Sequence, residues 1–115
     1  MEKSDEELKK ILLSEATRKD KNDYARELET IFDVGEEKAF FLRQVGYCQT
    51  KLDLAVVGIG ILRVHEVRKG ENPTVQKKDV GEYIKYVKDQ VQDAVASANK
   101  NYKTIVFKGL ESSID

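Results

Sequence analysis

Seven apolar positions, Phe41, Val45, Cys48, Leu52, Ala55, Ile59 and Leu62, follow one another at gaps of four, three, four, three, four and three. An apolar residue every 3.5 positions, held this long, marks an α-helix that lays one seam along another helix. The flanks agree with that reading. Glu36 and Glu37 suit the positive end of a helix dipole, and Arg68 and Lys69 followed by Gly70 suit the other end. The pattern predicts a helix over residues 36–69.

A second seam follows at once. Val80, Ile84, Val87, Val91, Ala94, Ala98, Asn101 and Ile105 keep the same alternation. Asn72-Pro73 supplies a cap and a first-turn proline, and Lys108-Gly109 a stop signal, with Asn99-Lys100-Asn101 as an earlier one. This predicts a helix over 74–108. Two long helices joined by about four residues pack antiparallel, because so short a link allows nothing else. Each would be about 50 Å long.

Two shorter helices precede the hairpin. Ser4 and Glu7 form a capping box for a helix over 5–18, with Leu8, Ile11, Leu12 and Ala16 on one face. Asn22 is placed to cap a helix over 22–33 that carries Tyr24, Leu28, Ile31 and Phe32, with Gly35 stopping it in a left-handed conformation. The fold class expected is all-α: a long antiparallel hairpin plus two short N-terminal helices, resembling a three- or four-helix bundle and forming a single domain over 1–115. A competing α+β fold places a strand at 54–67. There Val56, Val57, Ile59, Ile61, Val64 and Val67 are β-branched, and Gly58 and Gly60 each cost a helix about 1 kcal/mol. The helix is favoured because the seam crosses both glycines without a slip, and a 14-residue strand is unusually long.

The third helix carries apolar residues on a second side as well. Tyr47, Leu54, Val57, Ile61 and Val64 form a second seam, and burial on both sides requires two partners. The fourth helix covers one. The short N-terminal helices or a second subunit covers the other, which makes these five residues the candidate interface.

Composition narrows the functional classes. Of 115 residues, 36% are charged, which suits a fold with much exposed helix surface. The net charge of -1 gives no global attraction to nucleic acid or to an anionic membrane. Its distribution is uneven: residues 1–40 carry 8 basic and 12 acidic side chains, and residues 41–115 carry 12 and 9. A single cysteine, Cys48, excludes an internal disulfide. The acidic N-terminus is unlike a signal peptide, and the longest apolar run, Leu54 to Leu62, is too short to span a bilayer. A cytoplasmic location without membrane contact is expected.

No catalytic, cofactor-binding or metal-binding set emerges. His65 is the single histidine and sits among cations, so it reads as a surface residue near a helix end. Cys48 lies on a seam and reads as a small buried hydrophobe. Gly58-Ile59-Gly60 lacks the third glycine of a dinucleotide fingerprint, because position 63 is Arg. Acidic pairs such as Glu36-Glu37 read as solvated faces and helix N-terminal charges. Two features remain. Arg63, His65, Arg68, Lys69, Lys77 and Lys78 gather at the hairpin tip, where they could meet phosphates or an acidic partner. Tyr83, Tyr86 and Tyr102 alternate with Lys85, Lys88 and Lys103, a pattern compatible with stacking on single-stranded bases but commoner as helix packing. The expectation is a non-enzymatic helical protein–protein interaction module, an adaptor, assembly or inhibitory factor, engaging a protein partner or itself. The alternative is a nucleic-acid-binding or regulatory factor that uses the basic tip.

Overall fold

The computed structural model of the chain describes residues 4–18 and 20–114, with the side chains beyond Lys100 outside the described residues. Every regular element among the described residues is helical: α1 (Asp5–Arg18), α2 (Lys21–Ile31), α3 (Lys38–Tyr47), α4 (Lys51–Arg68) and α5 (Val80–Ile114), with short 3₁₀ turns at Gly35–Glu37 and Lys77–Asp79. The fold is all-α. The 54–67 stretch is helix, not strand.

The expected long third helix is two helices. α3 ends at Tyr47, Cys48 is extended (φ −66°, ψ 136°), and α4 restarts from Thr50. The cause is a capping pair inside the heptad. Thr50 Oγ1 accepts from the Asp53 amide at 3.1 Å, and Asp53 Oδ2 accepts from the Gln49 amide at 3.5 Å. These two bonds satisfy backbone donors that a continuous helix would satisfy internally. The closing end of α3 has its own partner: Lys21 Nζ donates to the carbonyls of Gly46 (3.0 Å) and Cys48 (3.3 Å), a cation set on a helix C-terminus.

The break exchanges the two seams. In α3 the first seam is the buried one, through Phe41, Val45 and Cys48, while Tyr47 of the second is 51% exposed. In α4 the second seam is buried, through Leu54, Val57, Ile61 and Val64, while of the first Leu52 is 55% exposed, Ile59 and Leu62 are half-buried and only the small Ala55 remains in the core. A three-residue non-helical connector resets the helical phase, so one heptad count cannot describe both sides of it.

Other boundaries differ from expectation for local reasons. Asp20, not Asn22, caps α2: its Oδ1 accepts from the Asp23 amide at 2.8 Å, and that amide holds the Asp20 carboxyl below its ordinary titration range. Ile11 lies on the exposed side of α1, and Ser4 Oγ caps the helix by accepting from the Glu7 amide at 3.2 Å. Asn72 does not cap the last helix. Its Oδ1 accepts from Thr74 N (3.0 Å) and Thr74 Oγ1 (2.7 Å), closing a turn, so the connection runs from Lys69 to Asp79 and α5 begins at Val80 rather than 74. α5 continues to Ile114, past Gly109, since one glycine costs a helix about 1 kcal/mol without stopping it. The side chains of Asn101, Tyr102, Lys103 and Ile105 on α5 lie outside the described residues, as does that of Ile31 on α2.

α4 is the central element and packs most extensively on α1 and α5, with α2 and α3 closing its remaining buried side. The two glycines explain this closeness. A Cβ on Gly58 would collide with the Tyr24 hydroxyl of α2, and one on Gly60 would lie 2.5 Å from Val91 Cγ2 of α5. Side chains of neighbouring helices, rather than their backbones, occupy the space the glycines leave. The α4–α5 hairpin is antiparallel, with Ile84, Val87, Val91 and Val95 buried along α5. The molecule is elongated, 58 × 27 × 26 Å.

Candidate functional site

Four of the five residues expected at an interface are core residues. Leu54, Val57, Ile61 and Val64 are buried by the chain's own helices, and the two short N-terminal helices supply much of that cover. These four side chains therefore present no surface to a second subunit. Tyr47 alone of the five is exposed.

The apolar surface that α4 does present lies on its other side. Leu52, Val56, Ile59 and Arg63 recur at gaps of four, three and four and so share one face. Leu52 is exposed, and Val56 and Ile59 are half-buried. α1 and α5 flank this face without covering it. The result is a groove of about 320 Å³ with Val56 and Ile59 as its floor, Tyr83, Tyr86 and Gln90 of α5 as one wall, and Lys9 of α1 on the other. Tyr86 is 59% exposed, and its ring centroid lies 6.5 Å from that of Tyr83. Arg63 Nη1 faces Glu66 Oε2 at 3.4 Å with both side chains largely covered, so the floor ends in a neutralised pair.

Tyr83 and Tyr86 both line this groove, but Lys88, one of the lysines beside them in the sequence, does not. Lys88 is held by Glu37 at 2.7 Å and sits 5.0 Å above the Phe40 ring, away from the tyrosines. The groove neighbours of the tyrosines include Val56 and Ile59, of which the sequence spacing places Ile59 on the first seam and Val56 on neither seam.

A second cavity, about 390 Å³, lies between α2, α3 and α4. Leu28, Phe32, Phe41 and Ile61 line its apolar part, and the Glu29–Lys38 ion pair and His65 lie at its mouth. His65 is structurally committed. Its Nδ1 is 3.1 Å from the amide and 3.0 Å from the carbonyl of Asp33, and its ring meets Phe32 edge-on at 5.2 Å. The imidazole thereby pins the α2–α3 connector to α4.

The basic tip is divided. Arg63 and His65 have the partners just described. Arg68 reaches Glu37 at 3.6 Å, and its guanidinium packs over Gly35, whose φ of +59° and missing Cβ make room for it. Lys69, Lys77 and Lys78 are exposed and carry no ion pair among the described residues. Three cations, not six, are thus presented at that end.

Cys48 is buried, donates its thiol to the Gln44 carbonyl at 3.2 Å, and has its pKa pushed up to about 12, first by burial and then by the nearby Asp53 carboxylate. Gly58-Ile59-Gly60 lies inside α4, not in a phosphate-cradling loop. Among the described residues there is no group of three metal-ligating side chains, and no helix is long and apolar enough to cross a membrane. No family model, curated protein or solved structure matches the chain.

Proposed function

We propose that this protein is a non-enzymatic helical interaction module that holds a segment of a partner protein in the groove between α1, α4 and α5. The observation that carries the reading is the groove itself: an apolar floor of Val56 and Ile59 on the central helix, bordered by Tyr83 and Tyr86, with Tyr86 more than half exposed. Large exposed side chains beside half-buried aliphatic ones are the composition of protein-binding centres, where tyrosine and arginine dominate the energetics. α4 is braced on its other sides by the rest of the fold, so the floor is rigid and little ordering is required on binding. A cytoplasmic setting belongs to the same proposal.

The reading is tested by comparing the wild type with Ile59→Ser plus Tyr86→Ala in affinity capture from the native host, with circular dichroism as a control for folding. The expected result is a protein captured by the wild type and lost from a well-folded variant. Identical capture by both would remove the groove from the function.

A further inference from the structure

We propose that the segment this groove takes is an amphipathic helix with a basic flank, lying along α5; this rests on the reading that the groove docks a protein segment. Shape argues for a helix. Tyr83, Tyr86, Gln90 and Ala94 line one wall at gaps of three, four and four, along about 16 Å of α5. Two helices and a floor of aliphatic side chains between them form a trough that accepts the i, i+3, i+4, i+7 face of a third helix, the usual helix-in-groove mode.

Charge decides which helix. Glu82, Asp89 and Asp93 stand at i, i+7 and i+11, and with Tyr86 at i+4 they form a single stripe on α5 bordering the groove. All three carboxylates are exposed, and none has an ion pair among the described residues. The cations that line the groove are already opposed: Lys9 faces Glu6 at 3.9 Å and Arg63 faces Glu66 at 3.4 Å. The exposed Lys85 is a helical neighbour of Glu82 and Asp89 and offsets one charge, so the α5 wall is net negative over residues 82–94. Beyond Lys9, the exposed Lys10 sets the opposite preference on the α1 side, so the basic residues belong on the flank that meets α5. An arginine there gains a further contact, because its guanidinium can stack on the exposed Tyr86 ring while pairing with Glu82 or Asp89.

The same stripe argues against the other occupants. A second copy whose two-fold axis crosses the groove sets Glu82, Asp89 and Asp93 against an identical stripe, whereas an axis along the groove sets them against Lys9 and Lys10, an arrangement the self-association outcome below tests. Nucleic acid would bring phosphates to a wall of carboxylates.

The test uses the full-length chain, ¹⁵N-labelled, and three synthetic peptides of ~18 residues, about five helical turns. One carries a Leu stripe with Lys and Arg on one flank, one the same stripe with Glu on that flank, and one the basic residues with the stripe scrambled. The expected result is that the basic amphipathic peptide shifts the amides of residues 56–63 and 83–94 and binds about tenfold tighter than the acidic one at low salt. That gap should narrow as salt screens the rim pairs. Glu82→Lys with Asp89→Lys and Asp93→Lys, all surface changes, reverses the order. Equal or tighter binding of the acidic peptide in the groove overturns the basic-helix assignment and leaves the docking reading standing. Equal binding of the scrambled peptide also overturns it, since the groove would then contribute nothing. Groove-dependent self-association without peptide, abolished by Tyr86→Ala, overturns it in favour of a second copy. No shift of groove amides with any peptide overturns both readings.

Discussion

Gly58 of α4 faces Leu12 of α1 and Tyr24 of α2, and its replacement by alanine tests the packing directly. An added Cβ falls inside the van der Waals envelope of the Tyr24 hydroxyl, while Tyr24 Cζ and Leu12 Cδ1 would each lie 3.4 Å away, an ordinary contact. Two effects of opposite sign compete. Alanine for glycine in a helix interior is worth about 1 kcal/mol. Overpacking a core that is already filled costs about 1–3 kcal/mol, and here Tyr24 is 2% exposed and cannot swing away. Gly58→Ala is therefore expected to be destabilising by about 0–2 kcal/mol in the wild type. In a Tyr24→Phe background the colliding oxygen is absent and the helix-propensity gain emerges, so the same substitution stabilises by up to about 1 kcal/mol. The quantity to read is the coupling, about 1–3 kcal/mol, obtained from urea denaturation of all four proteins followed by circular dichroism. The effect of Tyr24→Phe alone cancels in the cycle. Gly60→Ala serves as the control: its Cβ would meet Val91 Cγ2 at 2.5 Å and Phe41 Cε1 at 3.2 Å, so its cost is indifferent to residue 24. A Gly58→Ala penalty of the same size in both backgrounds would refute the claim that the Tyr24 hydroxyl is what demands a glycine.

Thr50→Ala removes the side-chain acceptor that starts α4 and should cost about 1 kcal/mol in the same denaturation assay, with Thr50→Ser close to neutral. Glu37 joins Arg68 of α4 (3.6 Å) to Lys88 of α5 (2.7 Å), so Glu37→Gln is expected to cost about 1–2 kcal/mol at low salt and less at high salt. Cys48 should resist thiol reagents until the chain unfolds, giving labelling that tracks the denaturation curve. Its folded pKa of about 12 lies above the ordinary 9.0, so between those pH values the unfolded state has released a proton the folded state retains. Stability contributed by this thiol is present below pH 9 and lost as pH rises towards 12; Cys48→Ala should flatten that alkaline decline relative to the wild type.

Helical class, the existence of the α4–α5 hairpin and the turn at Gly35 were legible in the sequence because each rests on local signals that agree: sustained 3.5-residue spacing, acidic starts, basic ends, and a glycine with φ of +59°. What misled was the strength of the longest signal. The run from Phe41 to Leu62 has no slip in its apolar spacing, so it reads as one helix with one seam, yet Thr50-Lys51-Leu52-Asp53 carries the start signal of a new helix inside it. A capping pair can be satisfied only if the preceding residues leave the helix, and Cys48 does so. Once the phase is reset, Ala55 alone of the first seam's four positions in α4 stays buried, Leu52 is exposed, Ile59 and Leu62 are half-buried, and Leu54, Val57, Ile61 and Val64 fill the core.

The groove follows from that exchange. A continuous helix keeping the Phe41–Val45–Cys48 face buried would carry Leu52, Val56 and Ile59 into the core with it, leaving the Tyr47 side, with Leu54, Val57 and Ile61, to find cover elsewhere. The break lets α3 bury the first seam and α4 the second, so the first seam's continuation along α4 emerges between α1 and α5 as half-exposed aliphatic surface. Five side chains that line the groove, Val56, Ile59, Tyr83, Tyr86 and Ala94, are half-buried or exposed, and α5 on one side of them carries exposed carboxylates without an ion pair among the described residues.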